Sequence, residues 1–244
     1  MTSQTGGPSA EVFAEVARSL LAQEDVQHTL QKIVDLAVET LDGCDHAGIT
    51  FLKGRRFSTP AASNDVPRKV DAIQYETGEG PCLDAIREHE VFHTGDLGHE
   101  RRWPKFSLRA QRETGVTSMV CFRLFVDGDT LGALNLYSKA SDAFDDQAVA
   151  VGSVFAAHAA VALSNALHEE QLEEALESRD VIGQAKGIIM AREHVSADEA
   201  FDMLRRASQR VNIKLRDIAS EIADSAQQPE SGPPAGGEDE QGGA

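Results

Sequence analysis

The sequence predicts an α+β chain: an antiparallel sheet flanked by helices, then a long connecting helix, a three-helix unit and a disordered tail. Three observations predict it. Ser118 to Val126 and Leu131 to Tyr137 are apolar, β-branched or aromatic runs joined by Asp127-Gly128-Asp129-Thr130, a hairpin turn whose glycine can take positive φ. From Phe144-Asp145-Asp146 a helical pattern without proline runs for about fifty residues, to His194. Gln227 to Ala244 holds no large apolar residue, so burial cannot offset the entropy of ordering it.

The elements follow in order. Between Ala10 and Leu41 apolar residues recur every three or four positions (Val12, Val16, Leu20; then Leu30, Ile33, Val34, Ala37, Leu41), which predicts amphipathic helices closed by Asp42-Gly43. Ala47 to Leu52 reads as a strand, with a turn at Lys53-Gly54-Arg55-Arg56 and a second short strand at Phe57. A helix near Val66 to Tyr75, a Gly-rich loop at Thr77 to Cys82, a short helix after it and a helix near Pro104 to Glu113 would roof the sheet. The long helix keeps no strict heptad across Val149, Val154, Val161, Leu163, Leu167, Leu172, Leu176, Ile182 and Ile189. Two arrangements suit it: a parallel dimeric coil joining the domains, or a kinked helix packing within its own chain.

A chain of 244 residues suits two small domains. Its net charge of −17 argues against general coating of DNA or anionic membrane, so any nucleic-acid site must be local. Residues 179–226 balance eight basic with eight acidic side chains, whereas the part before residue 179 carries 15 basic and 28 acidic ones. Cys44, Cys82 and Cys121 are odd in number and widely spaced, which fits neither a disulfide framework nor a zinc site. No metal and no cofactor is expected. With no run of 18 apolar residues and no signal pattern at Met1 to Pro8, the chain is expected to be cytoplasmic and off the membrane.

Ser196-Ala197-Asp198-Glu199 is a capping box and starts a helix. Phe201, Leu204, Ala207 and Val211 are expected to form its apolar stripe, with Arg205, Arg206, Gln209 and Arg210 outward. Asn212 can cap the next helix, whose buried face would be Leu215, Ile218, Ala219 and Ile222. Phe201 to Arg216 carries five basic residues against Asp202 alone, a positive patch or merely a solvated face. Gly183 and Gly187, one turn apart inside a helix, each cost about 1 kcal/mol relative to Ala and need a reason. Close approach of a nucleic-acid backbone beside Gln184 and Lys186 would supply one, and tight packing within the bundle another.

The run Ser178-Arg179-Asp180-Val181-Ile182-Gly183-Gln184-Ala185-Lys186-Gly187-Ile188-Ile189-Met190, followed by Ala200-Phe201, Leu204-Arg205, Ser208-Gln209, Asn212 and Leu215-Arg216-Asp217, closely resembles the ANTAR domain. The resemblance implies a bacterial regulator that binds paired hairpins in nascent leader RNA and prevents a terminator from forming, usually as a dimer. It makes Lys186, Arg205, Ser208, Gln209 and Asn212 the leading RNA-contact candidates, with Arg179, Gln184 and Lys214 behind them. Ser208 and Asn212 are equally suited to capping helix ends.

Residues 9–166 resemble a GAF domain of the kind that precedes ANTAR in actinobacterial regulators. Gly78-Glu79-Gly80-Pro81-Cys82-Leu83-Asp84-Ala85 and the hairpin ending in Leu131 to Tyr137 carry the likeness. It implies a sensory pocket for a small molecule, for which Glu79, Cys82, His93, Asp96 and Trp103 are candidates. The implied organisation is a sensory domain over 1–166, an RNA-binding domain over 167–226 and a tail over 227–244. The competing reading is a thiol redox sensor or sulfoxide-reducing enzyme. In it a Gly-rich helix start lowers the pKa of Cys82, with Cys121 as its resolving partner.

Overall fold

The structure, a computed structural model, describes residues 10–227 apart from Arg55 and His89. Most of the tail expected to be disordered lies outside the described residues. Contacts divide the chain into two compact units, the first ending at Glu170 and the second beginning at Gln171.

The first unit opens with helices α1 (Ala10–Leu21) and α2 (Val26–Thr40). Asp25 caps α2, its carboxylate accepting from the His28 amide. Strands β1 (His46–Lys53) and β2 (Arg56–Ala62) follow, then α3 (Asp65–Thr77), α4 (Pro81–Glu88), the short β3 (Phe92–Thr94) and α5 (Ser107–Thr114). The expected hairpin is present as β4 (Ser118–Val126) and β5 (Asp129–Ser138). All five strands pair antiparallel in the order β2-β1-β5-β4-β3.

Strand alternation gives the sheet two apolar faces. Leu134 and Leu136 of β5 turn toward Ile33 and Val34 of α2, and toward Phe155, Ala159 and Leu163 of the long helix α6 (Asp146–Glu193). Ala133 and Tyr137 turn the other way, into a core with Val70, Cys82, Trp103, Phe106 and Cys121 beneath α3, α4 and α5. Pairing of β5 with β1 sets Gly132 opposite Phe51 and Ala133 opposite Thr50.

Three differences from the sequence reading have local causes. β3 is only three residues long and takes its register from β4, with Phe92 opposite Cys121, so it has no periodicity of its own to detect. The second strand extends well beyond Phe57, through Ala62. The roof helix starts at Ser107 rather than near Pro104, because the amides of Phe106 and Ser107 turn back onto the Trp103 carbonyl.

Helix α6 is long and apolar enough by composition to cross a membrane, but much of its apolar surface is packed. Phe155, Ala156, Ala159, Ala160, Ala162 and Leu163 are buried in the core of the first unit, which gives that apolarity a packing role. Of the alternatives for the long helix, packing within the chain thus accounts for this N-terminal part. Val154 and Val161 in this part, and Leu172 and Leu176 further along the helix, are exposed.

In the second unit the end of α6 packs with α7 (Ala197–Val211) and α8 (Leu215–Gln227). Its small core is Ala185, Ile189, Ala200, Leu204, Ile218 and Ala219. The capping box forms as expected. The Glu199 amide donates to Ser196 Oγ at 3.3 Å, and the Ser196 amide donates to Glu199 Oε2 at 2.9 Å. Donation from the Ser196 amide, and from Ser196 Oγ at 2.7 Å, holds the Glu199 carboxyl below its ordinary pKa.

Candidate functional site

The face of α7 follows from its period. Residues 201, 205, 208 and 212 fall at i, i+4, i+7 and i+11, so Phe201, Arg205, Ser208 and Asn212 share one side of the helix. Arg205 is exposed, its guanidinium 2.8 Å from Asp202 in a surface pair of the kind worth at most about 1 kcal/mol. Lys186, on α6, sits with its ammonium 5.9 Å from the centre of the Phe201 ring, which ties the α6 candidate to the α7 face. Gln209, Lys214, Arg179 and Gln184 are exposed.

Ser208 and Asn212 hold the turn between α7 and α8. Asn212 adopts the left-handed conformation, with φ 53°, and its amide returns to the Ser208 carbonyl. Ser208 Oγ donates to the Ile213 carbonyl at 2.6 Å, and the Ile213 amide donates to the Ser208 carbonyl at 3.3 Å. Asn212 therefore closes α7 and does not open the next helix, which begins at Leu215. The capping reading of these two residues holds, and Asn212 stays exposed on the turn it makes.

Two expectations for this unit need correcting. Phe201 and Val211 do not belong to the packed stripe: they are 39% and 51% exposed, while Leu204 is buried as expected and Ala200 is buried beside it. A Cβ built at Gly183 or Gly187 would meet nothing within 4 Å, so neither glycine serves close packing inside the bundle. Both lie on the surface beside Gln184 and Lys186, open to an approaching partner.

On the roofed face of the sheet in the first unit lies a buried polar network that the sequence reading missed. Asp71 is wholly buried. Its carboxyl accepts from Tyr137 OH at 2.8 Å, Thr59 Oγ1 at 2.8 Å, Thr50 Oγ1 at 3.1 Å, Gln74 Nε2 at 3.2 Å and Asn135 Nδ2 at 3.4 Å. Burial raises its pKa, and the hydrogen bonds oppose that shift. A signal existed in the sequence: Asp71 and Gln74 fall on the helical arc of Pro67 and Val70, and Asn135 lies between Ala133 and Tyr137 on the inward side of its strand.

The sensor candidates are spread across this unit. Cys82 Sγ donates to Thr50 Oγ1 at 3.0 Å from a fully buried position. Trp103 is buried with its indole N–H on Asp84 at 2.6 Å. Glu79 accepts from the Lys105 amide, Asp96 caps the Gly98 turn, and the His93 carbonyl receives Arg102. The grooves on this unit lie elsewhere. One of about 340 Å³ runs between Phe125 and Val161, and another of about 230 Å³ lies beside Gly43 and Phe144. None of the five candidates lines either groove.

Cys82 also departs from the reactive-thiol reading. Its thiol pKa is pushed up, first by burial and then by Asp71, and burial pushes up the Cys121 thiol as well. The local environment opposes thiolate formation at Cys82. Labelling of Cys82 by a thiol reagent at neutral pH is expected to proceed only as fast as the first unit opens. Labelling at the rate of a free cysteine would restore the redox reading.

The chain thus consists of two modules, a sheet roofed by helices and a small helical unit in which basic and acidic side chains balance over residues 179–226. The chain belongs to the GAF domain family, whose model matches residues 23–164, and it carries an ANTAR domain over residues 170–222. It is 27% identical over 216 residues to the anaerobic nitric oxide reductase transcription regulator NorR of Shigella flexneri, a match covering 80% of this chain and 41% of that protein. The chain thus spans about two fifths of the length of the curated relatives it matches. Two solved structures share the fold of the first unit. The GAF domain of a phosphoenolpyruvate-protein phosphotransferase from Coxiella burnetii has a TM-score of 0.55 and 16% identity, over 66% of this chain and 95% of that one. The reduced form of fRMsr of Staphylococcus aureus has a TM-score of 0.52 and 15% identity, over 67% of this chain and 99% of that one.

Proposed function

We propose that the chain is a signal-responsive RNA-binding regulator that acts by transcription antitermination. The observation that carries this reading is the α7 face with Lys186 beside it: exposed basic and amide side chains, within the ANTAR-matched segment, in a chain of net charge −17. RNA loops offer base edges and phosphates together, and such a patch can meet both. The open surface at Gly183 and Gly187 lets a sugar-phosphate backbone come close to Gln184 and Lys186.

The regulator works in the cytoplasm as a homodimer. Each effector unit takes one of two adjacent hairpins in a leader transcript and keeps the terminator from forming. The exposed apolar residues Val154, Val161, Leu172 and Leu176 along α6 support pairing of two chains. The GAF unit senses a small molecule, which acts through its different affinity for the RNA-competent and RNA-incompetent arrangements. No step is catalytic.

The test is crosslinking of the protein to RNA in its native cells, followed by recovery and sequencing of the bound RNA. Leader transcripts with two neighbouring hairpins should be enriched. Recovery of RNA with no such leaders would reject the antitermination reading.

A further inference from the structure

Phe201 is the only Phe, Tyr or Trp between residues 171 and 227. A unit whose core consists of Ala, Ile and Leu side chains has every reason to bury such a ring, since aromatic side chains dominate the energetics of small cores. It does not: Phe201 is 39% exposed and stands outside that core. The ring lies on the side of α7 that carries Arg205, Ser208 and Asn212, with the Lys186 ammonium 5.9 Å from its centre.

We propose that Phe201 is the platform on which one unpaired RNA base stacks, with Lys186 and Arg205 meeting the phosphates around it. The proposal deepens the RNA-binding reading and rests on it. A flat π face suits any base, and a duplex offers none because its bases are already stacked. The surrounding charge favours a nucleic acid over an apolar protein helix. Lys186 and Arg205 flank the ring, and Arg206, Arg210 and Lys214 lie further along the same segment. The bound form is therefore expected to be a hairpin with an open loop, its helical stem lying away from Phe201.

The test uses the full chain with a synthetic RNA of two adjacent hairpins, and a fully paired duplex of equal length as control. Phe201→Leu keeps an apolar side chain of similar reach, and its thermal unfolding should match the wild type. It is expected to lose about tenfold in affinity for the looped RNA, the scale of one lost base stack. Because no charge is removed, the dependence of affinity on salt should keep its slope, whereas Arg205→Ala lowers that slope. Phe201→Tyr should bind as the wild type does, and duplex binding should be unchanged in every Phe201 variant. In Phe201→Trp, the new indole fluorescence should be quenched by looped RNA and not by duplex.

Wild-type affinity in Phe201→Leu, with Arg205→Ala still impaired, would overturn the platform and leave the RNA-binding reading standing. Failure of the wild type to bind the looped RNA would overturn both. Loss of affinity together with a lower unfolding temperature in Phe201→Leu would assign the ring to packing. Loss of self-association with RNA affinity intact would assign it to a protein contact. Either of these last two results also overturns the platform.

Discussion

Replacing Lys186 and Arg205 together by alanine is expected to lower RNA affinity about a hundredfold, at roughly tenfold for each lost contact. The fold should survive with unfolding stability within about 1 kcal/mol of the wild type. The side chains make few commitments inside the protein. Arg205 pairs only across the surface with Asp202, and Lys186 reaches out to the exposed ring of Phe201. Loss of phosphate contacts has a second signature. The slope of log affinity against log salt should fall by about 0.7 for each contact on single strands and about 0.9 on duplex. Titration of labelled RNA at several salt concentrations reads both quantities. Unchanged affinity in the double variant would remove this face of α7 from the interface.

Gly132→Ala is expected to destabilise the first unit by about 3 kcal/mol, the upper end of what overpacking costs and a large fraction of a domain's total stability. Gly132 stands opposite Phe51 where β5 meets β1. A Cβ there would drive into the Thr50 carbonyl oxygen, and it would lie 3.0 Å from the Thr50 carbonyl carbon and 3.1 Å from Phe51 Cα. All three are backbone atoms, so no rotamer change relieves the clash and the two central strands must part. The same movement would carry Thr50 Oγ1 away from Asp71 and Cys82, and so disturb the buried network as well as the pairing. Gly54→Ala is the control: a Cβ there meets nothing within 4 Å, and its φ of 64° alone sets the cost. Urea unfolding of the three proteins gives the comparison, and equal midpoints for Gly132→Ala and wild type would contradict it.

Much of the fold was legible because its signals are local. The β4–β5 hairpin declares itself by turn chemistry, the α7 start by Ser196 and Glu199, and α6 by length. What escaped depends on neighbours remote in sequence. The short β3 exists only because β4 offers it an edge. The arc of α7 that becomes buried is chosen by where α6 and α8 lie, and Phe201 and Val211 have the right spacing for a stripe that the other helices do not cover. Asn212 suits either end of a helix, and its left-handed backbone decides for the end of α7. The candidate RNA contacts could be named from a motif, whereas Asp71, Thr50, Asn135 and Tyr137 come together only when the sheet is assembled.

The turn after α7 also sets the sense in which one spot on the proposed interface can read a base. A serine hydroxyl has a single proton, and Ser208 already commits it to the Ile213 carbonyl at 2.6 Å. What remains to offer outward is lone pairs alone. In the proposed complex that hydroxyl would accept an N–H from any base, uracil N3–H included, and would have no proton to give a carbonyl edge such as uracil O4. On the proposed interface, a bond made for the stability of a turn would thereby leave Ser208 an acceptor only.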